Sequence, residues 1–185
     1  MAFIAIYDAD ALYPNTQRDL LIRIAQLPHL VQAKWTEQIL DEMVRALQKN
    51  RPDISDEKVS RLRVLMNTAV RDCMVTGYEP LVPSLELPDP DDRHVLAAAI
   101  KVNAQVIVTR NLKDFPKAKL APWGTKAKSP DDFVRDVIGI DRQAAWACVQ
   151  QIVDSRAQHP VTVDDVLGEL VRSGLVGSAA ALRAS

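Results

Sequence analysis

Asp8 and Asp10 are where any chemistry in this 185-residue chain has to begin. They follow the apolar run Phe3-Ile4-Ala5-Ile6-Tyr7, and strand alternation points both the same way at the strand's C-terminal end, the edge where open α/β sheets place their chemistry. Three further acids fall where they can join them. Glu42 sits at the edge of a helical apolar stripe made by Ile39, Leu40, Met43, Val44 and Leu47. Asp92 shares a face with Val95, Leu96 and Ala99, which carries it inward at the start of its helix. Asp114, with Asn111, follows a continuous apolar stretch, 104–109, of the kind that fills a strand buried on both faces. Carboxylates brought to one sheet edge repel one another unless a divalent cation neutralises them, and oxygen-only ligation suits Mg²⁺ or Mn²⁺. Each acid also has a plainer reading: Asp89 and Asp92 as caps of a helix with Pro90 in its first turn, Glu42 as a solvent-facing helical glutamate. Asp8 resists such a reading, because a carboxylate ending an apolar strand is costly without a cation or donors.

The elements that must position these acids alternate in type. After the first strand the pattern predicts a helix over 14–27, a short strand over 29–35, and a helix to Lys49 capped by Thr36. A long amphipathic helix over 56–75, a Pro-broken strand-like segment over 78–88, a helix opened by Asp89 to Asp92 and the buried strand 104–109 follow. That order favours an α/β sandwich around a parallel sheet. From Ser129 onward only helices are expected, starting at Ser129, near Arg142 and after Thr162, the last ended by Gly174. The chain thus divides into residues 1–128 and a helical C-terminal extension, 129–185.

Composition narrows the partners. A formal net charge of −1 gives no global attraction to nucleic acid, so a polyanion would be held locally. Between residues 110 and 128 the bases Arg110, Lys113, Lys117, Lys119, Lys126 and Lys128 are opposed only by Asp114, with Trp123 among them; the plain alternative is a solvated loop face. The N-terminal apolar run is too short for a signal peptide and no stretch is long enough for a membrane span, so no membrane partner and a cytoplasmic location are expected. Cys73 and Cys148 lie in helix-like apolar patterns and read as buried reduced thiols. His29, His94 and His159 read as surface histidines, and no Ser/His/Asp or Cys/His nucleophile set is visible.

Four segments together resemble the PIN-domain ribonucleases and, within them, the VapC-type toxins of bacterial toxin–antitoxin pairs. They are Asp8-Ala9-Asp10-Ala11-Leu12, Glu37-Gln38-Ile39-Leu40-Asp41-Glu42, Asp91-Asp92-Arg93-His94-Val95-Leu96-Ala97-Ala98-Ala99, and Ile107-Val108-Thr109-Arg110-Asn111-Leu112-Lys113-Asp114-Phe115-Pro116. The resemblance spans roughly residues 3–123, and the tail looks like the extension of one subgroup. It implies a PIN-like α/β/α sandwich with a central, mostly parallel sheet. It also implies Asp8, Glu42 and Asp92 as metal-binding acids, Asp114 as a further catalytic carboxylate, and Asp10, Thr109 and Asn111 in support. Asp10 stands where many members carry Asn, and Asn111 where some carry Asp, which leaves one or two metal ions open.

The implied activity is Mg²⁺- or Mn²⁺-dependent endoribonucleolytic hydrolysis of RNA phosphodiester bonds by the toxin of a type II pair, which would inhibit translation, with Arg110 and Lys113 holding the RNA backbone. The implied partners are a cognate antitoxin and a second copy in a homodimer, for which the helix from Asp56 and the helical tail offer apolar surface. Two other readings remain: a non-catalytic RNA- or protein-binding module, and a haloacid-dehalogenase-like phosphohydrolase suggested by Asp8-Ala9-Asp10. Against the latter, Leu12 stands where that pattern has Thr, and the later lysine and Gly-Asp pair are absent.

Overall fold

Phe3–Tyr7 (β1) is an inner strand of a four-stranded sheet in the computed structural model, which describes residues 2–184. It pairs in parallel with Val31–Lys34 (β2) on one side and Val106–Val108 (β3) on the other, and β3 pairs in parallel with Lys126–Lys128 (β4), giving the order β2-β1-β3-β4. Parallel neighbours need crossover connections, and helices supply them. Ala9–Leu12 (α1) and Asn15–Ala25 (α2) join β1 to β2; Glu37–Asn50 (α3), Asp56–Ala69 (α4) and Arg93–Lys101 (α5) lie between β2 and β3. Lys117–Leu120 (α6) precedes β4, and Pro130–Ile140 (α7), Arg142–Ser155 (α8), Val163–Arg172 (α9) and Val176–Arg183 (α10) form the tail. This is the α/β/α sandwich expected from the sequence, with every strand pairing parallel.

Local sequence explains most boundaries. The Thr36 hydroxyl accepts the Ile39 N–H at 3.0 Å and starts α3. Ser129 caps α7 by accepting the Asp132 N–H at 3.1 Å, and Thr162 with Asp165 forms a reciprocal capping box at α9. Gly174, at φ +98°, takes the left-handed turn that ends α9.

Three segments depart from the sequence reading. Residues 78–88 hold a 3₁₀ turn, Glu79–Ser84, and no strand, since Pro80 and Pro83 lack the N–H groups a ladder needs. The helix from Asp56 stops at Ala69, and residues beyond it join the outer sheet edge: Trp35 donates to the Cys73 carbonyl at 2.9 Å, and Val75 donates to Trp35 at 2.8 Å. The strand β4 forms inside the basic run that read as a loop.

The tail shares the core of the sheet. Phe133 of α7 meets Phe3 and Tyr7 edge-on, with ring centroids 5.9 and 5.6 Å away, and the Tyr7 hydroxyl donates to the Leu21 carbonyl of α2 at 3.4 Å. Phe3 and Tyr7 point to the same side of β1, so α2 and α7 together cover that face. A polar clasp reinforces the contact: Arg156 donates from one nitrogen to both Glu169 oxygens at 2.9 Å and from the other to the Thr16 hydroxyl of α2 at 3.0 Å, while Thr16 donates to Glu169. Cys73 and Cys148 are buried free thiols, as expected. Among the described residues no helix is long and apolar enough to cross a membrane.

Candidate active site

Where β1 stops, Asp8 becomes the N-cap of α1. One carboxylate oxygen accepts the Ala9 N–H at 2.8 Å, and the other accepts the Thr109 hydroxyl, also at 2.8 Å. Thr109 lies just past β3, the neighbouring strand, so the parallel pairing of β1 and β3 brings the two residues together. Asp8 is only 6% exposed. Burial first, then the charge of Asp10, pushes its carboxyl up to about 7, against the opposing pull of the Thr109 and Ala9 hydrogen bonds. Asp10, in the first turn of α1, accepts the Arg110 N–H with both oxygens, at 2.9 and 3.1 Å, and thereby anchors the loop that leaves β3. Its own carboxyl is also raised, chiefly by burial.

The second arm comes from the entry to α5. Asp89 accepts the Asp91 N–H at 2.9 Å and opens a 3₁₀ turn, Pro90–Asp92. Asp92 makes no such cap and is left for other partners. The Asn111 amide donates to Asp114 at 2.5 Å and reaches Asp92 at 3.4 Å, joining the third arm to the second. Oxygen atoms of Asp89, Asp92 and Asp114 lie within 4.8 Å of one another, a spacing at which one cation can meet all three. Burial, followed by the charges of Asp89, Asp114 and Glu42, lifts the Asp92 carboxyl to about 6 despite His94 nearby.

Glu42 stands at the margin of this group. It is outside the tight trio, yet its charge is felt at Asp92, and the charge of Asp92 is felt at Asp8. Asp8, Asp10, Glu42, Asp89, Asp92 and Asp114, six acids, thus form one electrostatically linked cluster at the C-terminal edge of the sheet. The donors are all carboxylate oxygens, and no Lys or Arg side chain makes an ion pair with Asp8, Asp10, Asp89 or Asp92 among the described residues. That set fits a hard divalent cation.

Asp89 and His94 were missed as site residues in the sequence. Asp89 does cap its turn, but the turn also folds it back beside Asp92. His94 is a correction: it is 3% exposed, with Nε2 2.9 Å from Glu42 Oε1. An amphipathic helix has one wet side, on which the spacing places His94, whereas every residue of α5 from His94 to Ala99 is buried.

The basic run does not form one surface. Thr109 donates its N–H to the Lys128 carbonyl, which puts Lys128 at the acid edge, but its ammonium pairs with Asp136. Trp123 precedes β4 and so lies at the opposite edge, exposed, while Lys119 pairs with Glu86. Arg110 and Lys113 are exposed beside the acids, the latter with its Nζ 4.0 Å from Asp114. A cavity of about 1010 Å³ between α8, α9 and α10 is lined by none of these acids; one of about 670 Å³ adjoins them, walled by Glu42, His94, Arg45 and Tyr78.

Comparison with known proteins accords with this geometry. A family model described as PIN domain matches residues 10–113, and one described as VapC50 C-terminal domain matches residues 130–184. A Mycobacterium tuberculosis (strain H37Rv) protein provisionally named ribonuclease VapC50 is 42% identical over 98 residues. That alignment takes in 51% of this chain and 57% of the relative, so little more than half of either is compared. No solved structure matches the chain.

Proposed function

Because the chain belongs to the PIN-domain family, we propose that it is a divalent-metal-dependent endoribonuclease, the toxin of a type II toxin–antitoxin pair, acting on RNA in the cytoplasm to inhibit translation. The observation that carries this reading is the convergence of carboxylates at one sheet edge, where Asp8, Asp10, Asp89 and Asp92 have no Lys or Arg ion-pair partner among the described residues and two of the four are lifted to about 7 and about 6. Such an arrangement costs stability and is retained where a charge from outside completes it.

In this reading Asp8, Glu42 and Asp92 hold Mg²⁺ or Mn²⁺, with Asp114 as a further catalytic carboxylate and Asp89 beside it. A divalent ion bound there lowers the pKa of a water molecule and stabilises charge on the phosphate and the leaving oxygen. The chain's own groups fix the geometry. Thr109 holds Asp8 by its hydroxyl; Asp10 pins the backbone of Arg110; Asn111 keeps Asp92 and Asp114 apart yet together by donating to both. Arg110 and Lys113, exposed at the rim, bind backbone phosphates of the RNA. Residues 1–128 form the nuclease domain, and 129–185 an extension sharing its core. Exposed Val64 and Leu65 on α4 support a protein partner there, the antitoxin or a second copy.

The deciding experiment is cleavage of total bacterial RNA by the purified chain with Mg²⁺, Mn²⁺ or EDTA, beside folded Asp8→Asn and Asp92→Asn variants. Metal-dependent cutting lost in both variants is expected, and the cut ends identify the RNA. An inert wild-type chain that binds RNA as the variants do would return the protein to the binding modules. The phosphohydrolase alternative loses ground because Asp10, which would have to act as its acid and base, has both oxygens on the Arg110 amide.

A further inference from the structure

Buried polar atoms in folded proteins nearly always have partners, and His94 is an exception. Its imidazole is buried, Nδ1 has no hydrogen-bond partner, and Nε2 approaches Glu42 Oε1 at 2.9 Å without the direction of a hydrogen bond. An imidazole sealed off with neither nitrogen engaged costs free energy, so its place needs an explanation that packing alone does not supply.

We propose that His94 is a positioning residue for the metal site: it takes Oε1 of Glu42 and so fixes which way that carboxylate faces. The inference rests on the reading of Glu42 as a metal-holding acid. Three observations support it. His94 lies two residues after Asp92 on the first turn of α5, so one turn delivers an acid of the cluster and the group that steadies another acid, which comes from α3. The cation near Glu42, Arg45, stands 3.9 Å from the same oxygen, is 69% exposed, and is exchangeable with solvent, so it cannot fix an orientation. Among the described residues Glu42 Oε2 accepts no hydrogen bond and remains uncommitted. The missing direction is supplied by a rotation of the terminal Glu torsion, which is broad and soft. Groups that steer metal-binding side chains in this way typically govern affinity by 10- to 100-fold, about the size expected here.

The test is calorimetric titration of Mn²⁺ into the full chain, wild type beside His94→Ala, His94→Gln, Glu42→Gln and the Glu42→Gln/His94→Ala double variant, each checked by circular dichroism. The expected result is about 10- to 100-fold weaker Mn²⁺ binding in His94→Ala, partial recovery in His94→Gln, which restores an N–H donor, and no further loss from His94→Ala once Glu42 is gone. RNA cleavage by His94→Ala should then recover as Mn²⁺ is raised. Unchanged Mn²⁺ affinity, an equal loss in the Glu42→Gln background, or failure of both His94 variants to fold would overturn the proposal and leave His94 a core residue. A wild-type chain that binds no Mn²⁺ would overturn the metal reading itself, a result visible before any variant is compared.

Discussion

The acid edge and the tail clasp handle partly buried acids in opposite ways. At the clasp, Glu169 is pushed up by burial but pulled below its ordinary range by Thr16 and Arg156, so its charge is settled within the protein. Elsewhere in the tail Asp131 accepts from the Gly177 and Ser178 N–H groups at 2.9 and 2.7 Å; a Cβ at Gly177 would come within 2.9 Å of that carboxylate. At the acid edge, Asp8 and Asp92 receive only hydroxyl, amide and backbone donors and remain raised. One region is arranged for stability, and the other keeps a repulsion that a ligand can relieve.

The sharpest way to break this contrast is Asp8→Asn. RNA cleavage should fall by about 10³-fold or more, since several kcal/mol of transition-state stabilisation is at stake. The metal-free fold should gain stability in the same variant. The folded carboxyl titrates near 7 and the unfolded one near 3.8, so folding disfavours the ionised form. That penalty is absent at pH 3, grows as pH rises through the interval, and is complete above about pH 7, where its upper bound is about 4 kcal/mol. Thermal melts of both chains at pH 5 and pH 8 should show the gap in Tm widening at the higher pH; a constant gap would refute the conflict at Asp8.

Saturating Mn²⁺ should mimic that gain in the wild type. At about 100 times its Kd the ion contributes about 2.7 kcal/mol, and the rise in Tm should vanish in Asp8→Asn. Arg156→Ala probes the other region. Stripping a charge-assisted pair from Glu169 should cost about 1.5 to 3 kcal/mol by denaturant titration while leaving Mn²⁺ affinity within twofold of wild type. The smallest effect belongs to the rim: Lys113→Ala should raise KM for RNA a few-fold at low salt, lessen the salt slope by about 0.7, and leave kcat alone.

Legibility in the sequence followed the range of the interaction involved. Asp8, Asp10 and Thr109 were readable because strand alternation and parallel pairing are short-period rules that put strand ends side by side. Asp114 and Asn111 followed from the same buried strand. His94 was misread because helical periodicity reports one buried stripe, and α5 is enclosed by layers distant in sequence. How the basic run is laid out was not legible for a related reason: its two ends, Arg110 and Lys128, lie at the acid edge while its middle crosses to the opposite edge before β4, and Asp136 and Glu86 absorb two of its charges. Asp89 combined a legible role, the cap, with one visible only once the turn had folded.

The rings of Phe133, Phe3 and Tyr7 bear on how the protein is made as well as how it stands. Every acid of the cluster precedes residue 133 in the chain, yet the face of β1 that presents Phe3 and Tyr7 has no α7 to cover it until that residue has been added and has emerged. A chain that stops short of α7 therefore carries all the acids and a sheet face covered only by α2, an apolar surface that invites chaperones and proteases. Synthesis of the tail sets the moment at which the core around β1 can close.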